Sequence, residues 1–481
     1  MRVFPADGSC ADGLNQVLNT QRTAFLEAGF PDLEIRKDRL DRFSSMLLKN
    51  VRRLGDAAAQ DFGHRSREFG TLFALSPLIE SSYYRVMLRR WMRPRRTSLL
   101  LSACGIDQKV RREPKGVVGV IGPWNFPSEL TLTPAASALA AGNRVMIWQS
   151  PAAPETARVV AEMVAKYFSV DELAVFSEPY GTGELFSQLN FDHLFFTGSP
   201  QVGALVAGAA AKNLVPVTLE LGGKNPAVIA AEGDIDRAAR VLAALRLLNS
   251  GQACICPDYV FVPAKMVNRF IERFLAECAH RYSSPRGHAS YTSIVDERQH
   301  RRVLDLIEQA QHAGARIWQL PTGPRAAVER KIPPTVITGV RADMSVAQEE
   351  VFGPVLCVYP YENIDEAIGY INARDSPLTM YWFGPKGSDY RKLLDFTRSG
   401  SVNIGDGLLH LASPLVPFGG IGRSGSGAYH GRYGFDTFSY VRPTVQSHLP
   451  FSVANFAAPP YPEMMNRIIA KVFRQMAPSD A

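Results

Sequence analysis

Between residues 117 and 221, short apolar runs alternate with stretches of helical periodicity, and this alternation constrains the fold more than any other feature. Val117-Val118-Gly119-Val120-Ile121 reads as a buried strand closed by Gly122-Pro123. Asn143 to Trp148 reads as a second strand after a break at Gly142, and Leu194 to Thr197 as a third that leads into Gly198-Ser199-Pro200. Helices are expected over 155–167 and from about Gln201 onward. A strand without a polar face must be covered on both sides, so strands alternating with helices predict a doubly wound parallel α/β sheet. A second α/β cycle is expected from near 217, with Thr218 to Leu221, Val228-Ile229 and 259–262 as strands and 234–248, 265–281 and 297–313 as helices. Residues 14–93 read as helical, because Leu33 to Leu54 places apolar residues at three- and four-residue spacing, and Pro94 ends that region.

A chain of 481 residues, 46% hydrophobic and 21% charged, is globular and too long for one domain. Its six cysteines are too scattered for a disulfide framework, and no CxxC pair or His/Cys cluster calls for a metal. The opening MRVFPADGSCADG lacks the apolar core of a leader, and no run reaches the about 18 apolar residues of a membrane span, so a cytoplasmic location is expected. The net charge of +7 is partly concentrated between Arg85 and Arg96. No nucleic-acid module accompanies that run, so it reads as a solvated helix face paired with acids elsewhere, and no nucleic-acid partner is expected.

Three residues carry chemistry. Cys254 follows Gly251-Gln252-Ala253 and stands just before the apolar run Tyr259 to Val262, which places its sulfur at a loop between elements. Such a thiol is a candidate nucleophile where aimed N–H groups favour the thiolate, and otherwise an inert buried cysteine. Cys256 reads as packing. Asn125, in Pro123-Trp124-Asn125-Phe126-Pro127, is either a turn residue or an amide N–H preorganised for an oxyanion. Glu220 precedes Gly222-Gly223, whose freedom lets a carboxylate swing as a general base; the plainer reading is a salt bridge to a nearby lysine. No GxSxG or GxxxxGK occurs. A GxGxxG string at Gly420, Gly422 and Gly425 reads as a decoy, since no helix is expected after it and no βαβ unit surrounds it.

PWNFP, AAGNRV, FFTGSPQVG, ELGGKNP, GQACICPDYV, EEVFGPV and PFGGIGRSG occur in that order. Together they resemble the aldehyde dehydrogenase superfamily over nearly the whole chain. DFGHRS, RRWMRPRR, AYHGRYGFDTFS and PPY resemble its class 3 branch, and most of all the bacterial coniferyl aldehyde dehydrogenases. The resemblance implies a Rossmann-type cofactor domain over 1–220, a catalytic α/β domain over 221–400, a return and oligomerisation arm over 401–447 and a tail over 448–481. It further implies a homodimer bridged through strands near 97–113 and 430–447. It casts Cys254 as nucleophile, Glu220 as general base and Asn125 as oxyanion donor, with NAD or NADP held by Trp124, Trp148, Gly198, Ser199, Leu221, Glu350 and Phe352. The implied reaction oxidises an aromatic or medium- to long-chain aldehyde to its acid.

The pattern breaks at two places. The strand after AGNRV ordinarily ends in a Lys, with a Glu three residues on, both meeting the adenosine ribose; here the positions are Trp148 and Pro151. Trp has one donor and no charge, and Pro offers no polar side chain, so two ribose contacts are lost. That loss leaves a second class open, a non-catalytic or cofactor-impaired homologue acting as a binding partner. Relatives usually carry Asn-Asp where this chain has Gly405-Asp406. In the tail, Met464, Met465, Ile468, Ile469, Val472 and Phe473 form one apolar stripe, which suits either a lipid surface or a helix packed over the substrate entrance or the dimer seam.

Overall fold

The computed structural model describes residues 10–283, 285–321, 329–461 and 463–476. The opening residues 1–9, read above as lacking a leader core, and residues 477–481 of the tail lie outside the described residues. The chain divides into two units, one of residues 1–91 with 113–440 and one of residues 92–112 with 441–481.

The larger unit contains two sheets. The first has six strands in the order Gly425–Ser426, Val217–Leu221, His193–Gly198, Val117–Ile121, Arg144–Trp148, Leu173–Phe176. All neighbours are parallel except Gly425–Ser426, which runs antiparallel to Val217–Leu221 and sets Gly425 opposite Glu220. Every residue of Val117–Ile121 and Arg144–Trp148 is buried, as their apolar runs require, with Arg144 buried through its pair with Asp171 (2.8 Å). The second sheet has seven strands, Arg316–Gln319, Thr335–Thr338, Val355–Tyr361, Pro257–Pro263, Asn225–Ile229, Thr379–Phe383 and Ser401–Ile404, parallel except at the Arg316–Gln319 edge. The strand at 217–221 therefore completes the first sheet rather than opening the second cycle; a local apolar pattern marks a strand but not its partner.

Helices cover these sheets. Leu33–Phe62 starts where the Asp32 carboxylate accepts the Ile35 N–H and stops at Gly63, whose φ of 77° is left-handed. Its face of Leu40, Phe43, Leu47 and Leu54 is buried, each side chain contributing about 1.5–3 kcal/mol. Pro200–Ala211 is capped by the Ser199 hydroxyl, which accepts the Val202 N–H, with Pro200 in the first turn. The expectation that no helix follows Gly425 needs correction: Gly431–Thr437 is a short helix, six residues downstream. Gly405, at the second break in the pattern, takes φ of 71°. The basic run is paired in part, with Arg85 on Asp41.

The smaller unit carries a three-stranded sheet of Arg95–Arg96, Ile106–Pro114 and Ser439–Ser447. The expected bridging strand near 97–113 begins instead as the short helix Leu99–Ala103. The other segment, 430–447, is a strand only from Ser439 onward. The tail forms the helix Glu463–Met476, with Met464, Ile468, Ile469, Val472 and Phe473 exposed. Among the described residues no helix is long and apolar enough to cross a membrane.

Candidate active site

Cys254 lies in the turn between the one-turn helix Leu248–Gly251 and the strand Pro257–Pro263. The loop before it is strained: Asn249, Ser250 and Gly251 have φ of 48°, 54° and 77°. Two consecutive non-glycine residues in the left-handed region cost of order 1–3 kcal/mol each, so the surroundings must hold them. They do. Gln252 donates to Asn249 O (2.9 Å) and Ser293 O (3.0 Å) and accepts the Val295 N–H (3.0 Å). Ser250 donates to Thr292 O. Beyond the cysteine, the Asn225 amide donates to Cys254 O (2.6 Å) and Cys256 O (3.1 Å), and Tyr381 donates to Ile255 O (2.6 Å). Cys254 is partly exposed while Cys256 is buried with its sulfur 3.1 Å from Leu245 O, so only the first thiol is presented.

That thiol faces a cavity of about 1790 Å³ that is also lined by Asn125 and Glu220. Asn125 follows the strand Val117–Ile121, and its amide donates to Gln252 O (3.1 Å), two residues before Cys254. One N–H spent on that carbonyl fixes the direction of the other. Glu220 stands in the strand Val217–Leu221, next to the short edge strand Gly425–Ser426, and is 4% exposed. Neither of its carboxylate oxygens has a hydrogen-bond partner among the described residues. The salt-bridge reading of Glu220 is thereby excluded: Lys224 pairs with the buried Asp258 at 2.7 Å instead. A buried carboxylate without partners is costly as an anion, and burial pushes the Glu220 carboxyl well above the ordinary range.

The cofactor candidates line the same cavity: Trp124, Trp148, Gly198, Ser199, Leu221, Glu350 and Phe352. Glu350 lies directly over Gly222, where a Cβ would come within 2.0 Å of its Oε2, so any side chain there would displace the carboxylate. Arg302 donates to Glu350 O (3.2 Å) and Val351 O (2.6 Å) and holds that segment in place. Burial, and then the charge of Asp258, pushes the Glu350 carboxyl up to about 8. Burial first, and then the charges of Glu350 and Glu220, also raises the Cys254 thiol. Both effects favour the protonated thiol. Phe352 meets Trp124 edge to face at 5.4 Å. The N-terminus of Pro200–Ala211 opens on the cavity through Ser199 and Val202, a place that favours an anion.

Trp148 ends the strand Arg144–Trp148. It is 3% exposed and packs on Phe186 at 5.8 Å, with its Nε1 against Gly183, so it forms cavity wall. Several supporting residues had little signal in the sequence. Asn225, which grips the cysteine turn, lies within ELGGKNP, but its partners are 29 and 31 residues away.

A model of the aldehyde dehydrogenase family matches residues 11–444. A probable coniferyl aldehyde dehydrogenase of Caulobacter vibrioides is 41% identical over 469 residues, covering 95% of this chain and 96% of its own. A dimeric NADP-preferring aldehyde dehydrogenase of Mus musculus is 34% identical, covering 94% and 99%. Among solved structures, the substrate-bound AldH of Staphylococcus aureus superposes with a TM-score of 0.87 at 30% identity, covering 95% of this chain and 99% of that one.

Proposed function

The chain belongs to the aldehyde dehydrogenase family and is an oxidoreductase acting on aldehydes, and from that premise we propose that it oxidises an aromatic or medium- to long-chain aldehyde to the acid through a thioester on Cys254. The observation that carries this reading is the meeting of the Cys254 thiol, the Asn125 amide and the unpartnered Glu220 carboxylate in one cavity. The name of the Caulobacter relative supports a phenylpropenal as substrate.

A nicotinamide dinucleotide fits one end of the cavity better than the other. The helix N-terminus at Ser199 suits its pyrophosphate, and Glu350 and Phe352 suit the nicotinamide ribose. Bound there, NAD or NADP supplies the acceptor for the hydride that leaves the aldehyde carbon. The chain does the rest. A carboxylate takes the thiol proton, the sulfur adds to the carbonyl, and Asn125 with the Cys254 backbone N–H stabilises the oxyanion. Once the thioester has formed, Glu220 takes a proton from the water that cleaves it, and Cys254 is released. Burial raises the Glu220 carboxyl, which makes its anion a stronger base toward that water.

At the adenosine end, Trp148 and Pro151 line the cavity where a cation and a carboxylate would grip the ribose. Losing a charge-assisted hydrogen bond costs about 1.5–3 kcal/mol, or roughly tenfold to a hundredfold in affinity. Removing the carboxylate also removes a repulsion against a 2′-phosphate, so NADP is accepted alongside NAD. Calorimetric titration of both dinucleotides is expected to show tighter binding to Trp148→Lys than to the parent chain, and equal affinities would overturn this reading of Trp148. The catalytic reading is tested by following nicotinamide reduction with coniferaldehyde: turnover in the parent and none in Cys254→Ala is expected, and activity in Cys254→Ala would refute it. A homodimer is part of the same proposal, supported by the word dimeric in the name of the mouse relative.

A further inference from the structure

Arg65 sits in the short link between the helices Leu33–Phe62 and Arg67–Phe73, yet it is 4% exposed. Its guanidinium is enclosed by three aromatic rings, with centroids of Phe62 at 4.8 Å, Phe69 at 4.9 Å and Phe126 at 5.2 Å. Nη1 donates to the backbone carbonyl of Asn125 at 2.9 Å. Nε and Nη2 are buried and have no hydrogen-bond partner among the described residues; the opposing charges of the buried Glu129 and then Asp61 act on the guanidinium through space without a hydrogen bond to it. A buried arginine kept only for stability would satisfy its fork. This one is held by ring faces and the through-space charge of Glu129, and delivers its single hydrogen bond to Asn125, which lines the same cavity as the Cys254 thiol. The same carbonyl accepts a second donor, Nδ2 of Asn249 at 3.2 Å, from the strained loop that carries the cysteine.

We propose that Arg65 is the positioning residue of the oxyanion site: clamped in its aromatic cage, it fixes the Asn125 peptide so that the amide meets the carbonyl oxygen of a substrate bound to Cys254. The proposal rests on the reading of Asn125 as oxyanion donor. Arg65 touches neither substrate nor sulfur and acts only through Asn125. Its effect therefore belongs to the tetrahedral adduct and not to ground-state binding.

The test is a double-mutant cycle read on p-nitrophenyl acetate, whose acyl group passes to the Cys254 sulfur with release of p-nitrophenolate and no hydride acceptor. Asn125→Ala is expected to slow that acylation about a hundredfold. Arg65→Lys is expected to slow it about tenfold with KM unchanged, as a small misplacement of the donor would. In the Asn125→Ala background Arg65→Lys is expected to do almost nothing further. Equal slowing in both backgrounds, or an effect on KM alone, overturns the proposal. A normal rate in Asn125→Ala, or no acylation of the parent chain, instead overturns the underlying reading of the site. Phe69→Leu removes one wall of the cage and leaves Arg65 in place, so it supplies a second cycle should the lysine variant not fold. It is expected to slow acylation a few-fold, again only when Asn125 is present, and a slowing that survives Asn125→Ala counts against the proposal.

Discussion

At Cys254 two carboxylates act on one proton. Glu350 and Glu220 both raise the thiol after burial has done so. Removing a negative charge lowers a thiol pKa, so Glu350→Gln is expected to speed iodoacetamide alkylation of Cys254. The gain should grow above about pH 8, where the parent Glu350 is ionised, and an unchanged or slower rate would show that the two groups do not communicate. Gly222→Ala tests the same contact from below. Its Cβ would fall 2.0 Å from Glu350 Oε2, so the carboxylate must leave its place, and weaker NAD binding by calorimetry is expected. Cys254, Asn125 and Glu220 were legible because each stands in a short motif with its own chemistry. Arg65 was not, although it stands in DFGHRS with Phe62 and Phe69 nearby, because its one hydrogen-bond partner is 60 residues away.

Among the elements, the cysteine loop is the most sensitive. Gly251 has φ of 77°, and a Cβ there would lie 2.1 Å from Gly353 O. Gly251→Ala therefore meets both backbone strain and a backbone clash, and a loss of about 2 kcal/mol or more in denaturant unfolding is expected, together with loss of acylation. A fully active and equally stable alanine variant would mean that the loop relaxes freely. Strands such as Val117–Ile121 were readable because an all-apolar run has only one comfortable place, the middle of a covered sheet. The strand at 217–221 was assigned to the wrong cycle because its sheet partner, His193–Gly198, is a tertiary fact. Leu99–Ala103 looked like part of a bridging strand because its helix is a single turn begun by the Ser98 cap, too short to show periodicity.

For the whole molecule, the buried acids tie stability to pH. Glu350 has its carboxyl raised from 4.5 to about 8, and Glu220 is raised further than the ordinary range by burial. A raised folded-state pKa favours the protonated form, so this contribution is complete below about pH 4.5 and is lost as pH rises through about 8. The Tm of the parent chain is expected to fall over that window, and that of Glu350→Gln to fall less; parallel curves would contradict the shift. The α/β class was visible in the alternation of strands and helices, whereas the division of strands between two sheets was not, since pairing over hundreds of residues leaves no local trace. The central claim is that one sulfur carries the acyl group and Glu220 releases it. Mass spectrometry of Glu220→Gln mixed with coniferaldehyde and NAD tests it most directly. The account predicts an acyl adduct that accumulates on the Cys254 peptide and is absent from Cys254→Ala; an adduct on another cysteine, or full turnover with no slowing of its release, would contradict it.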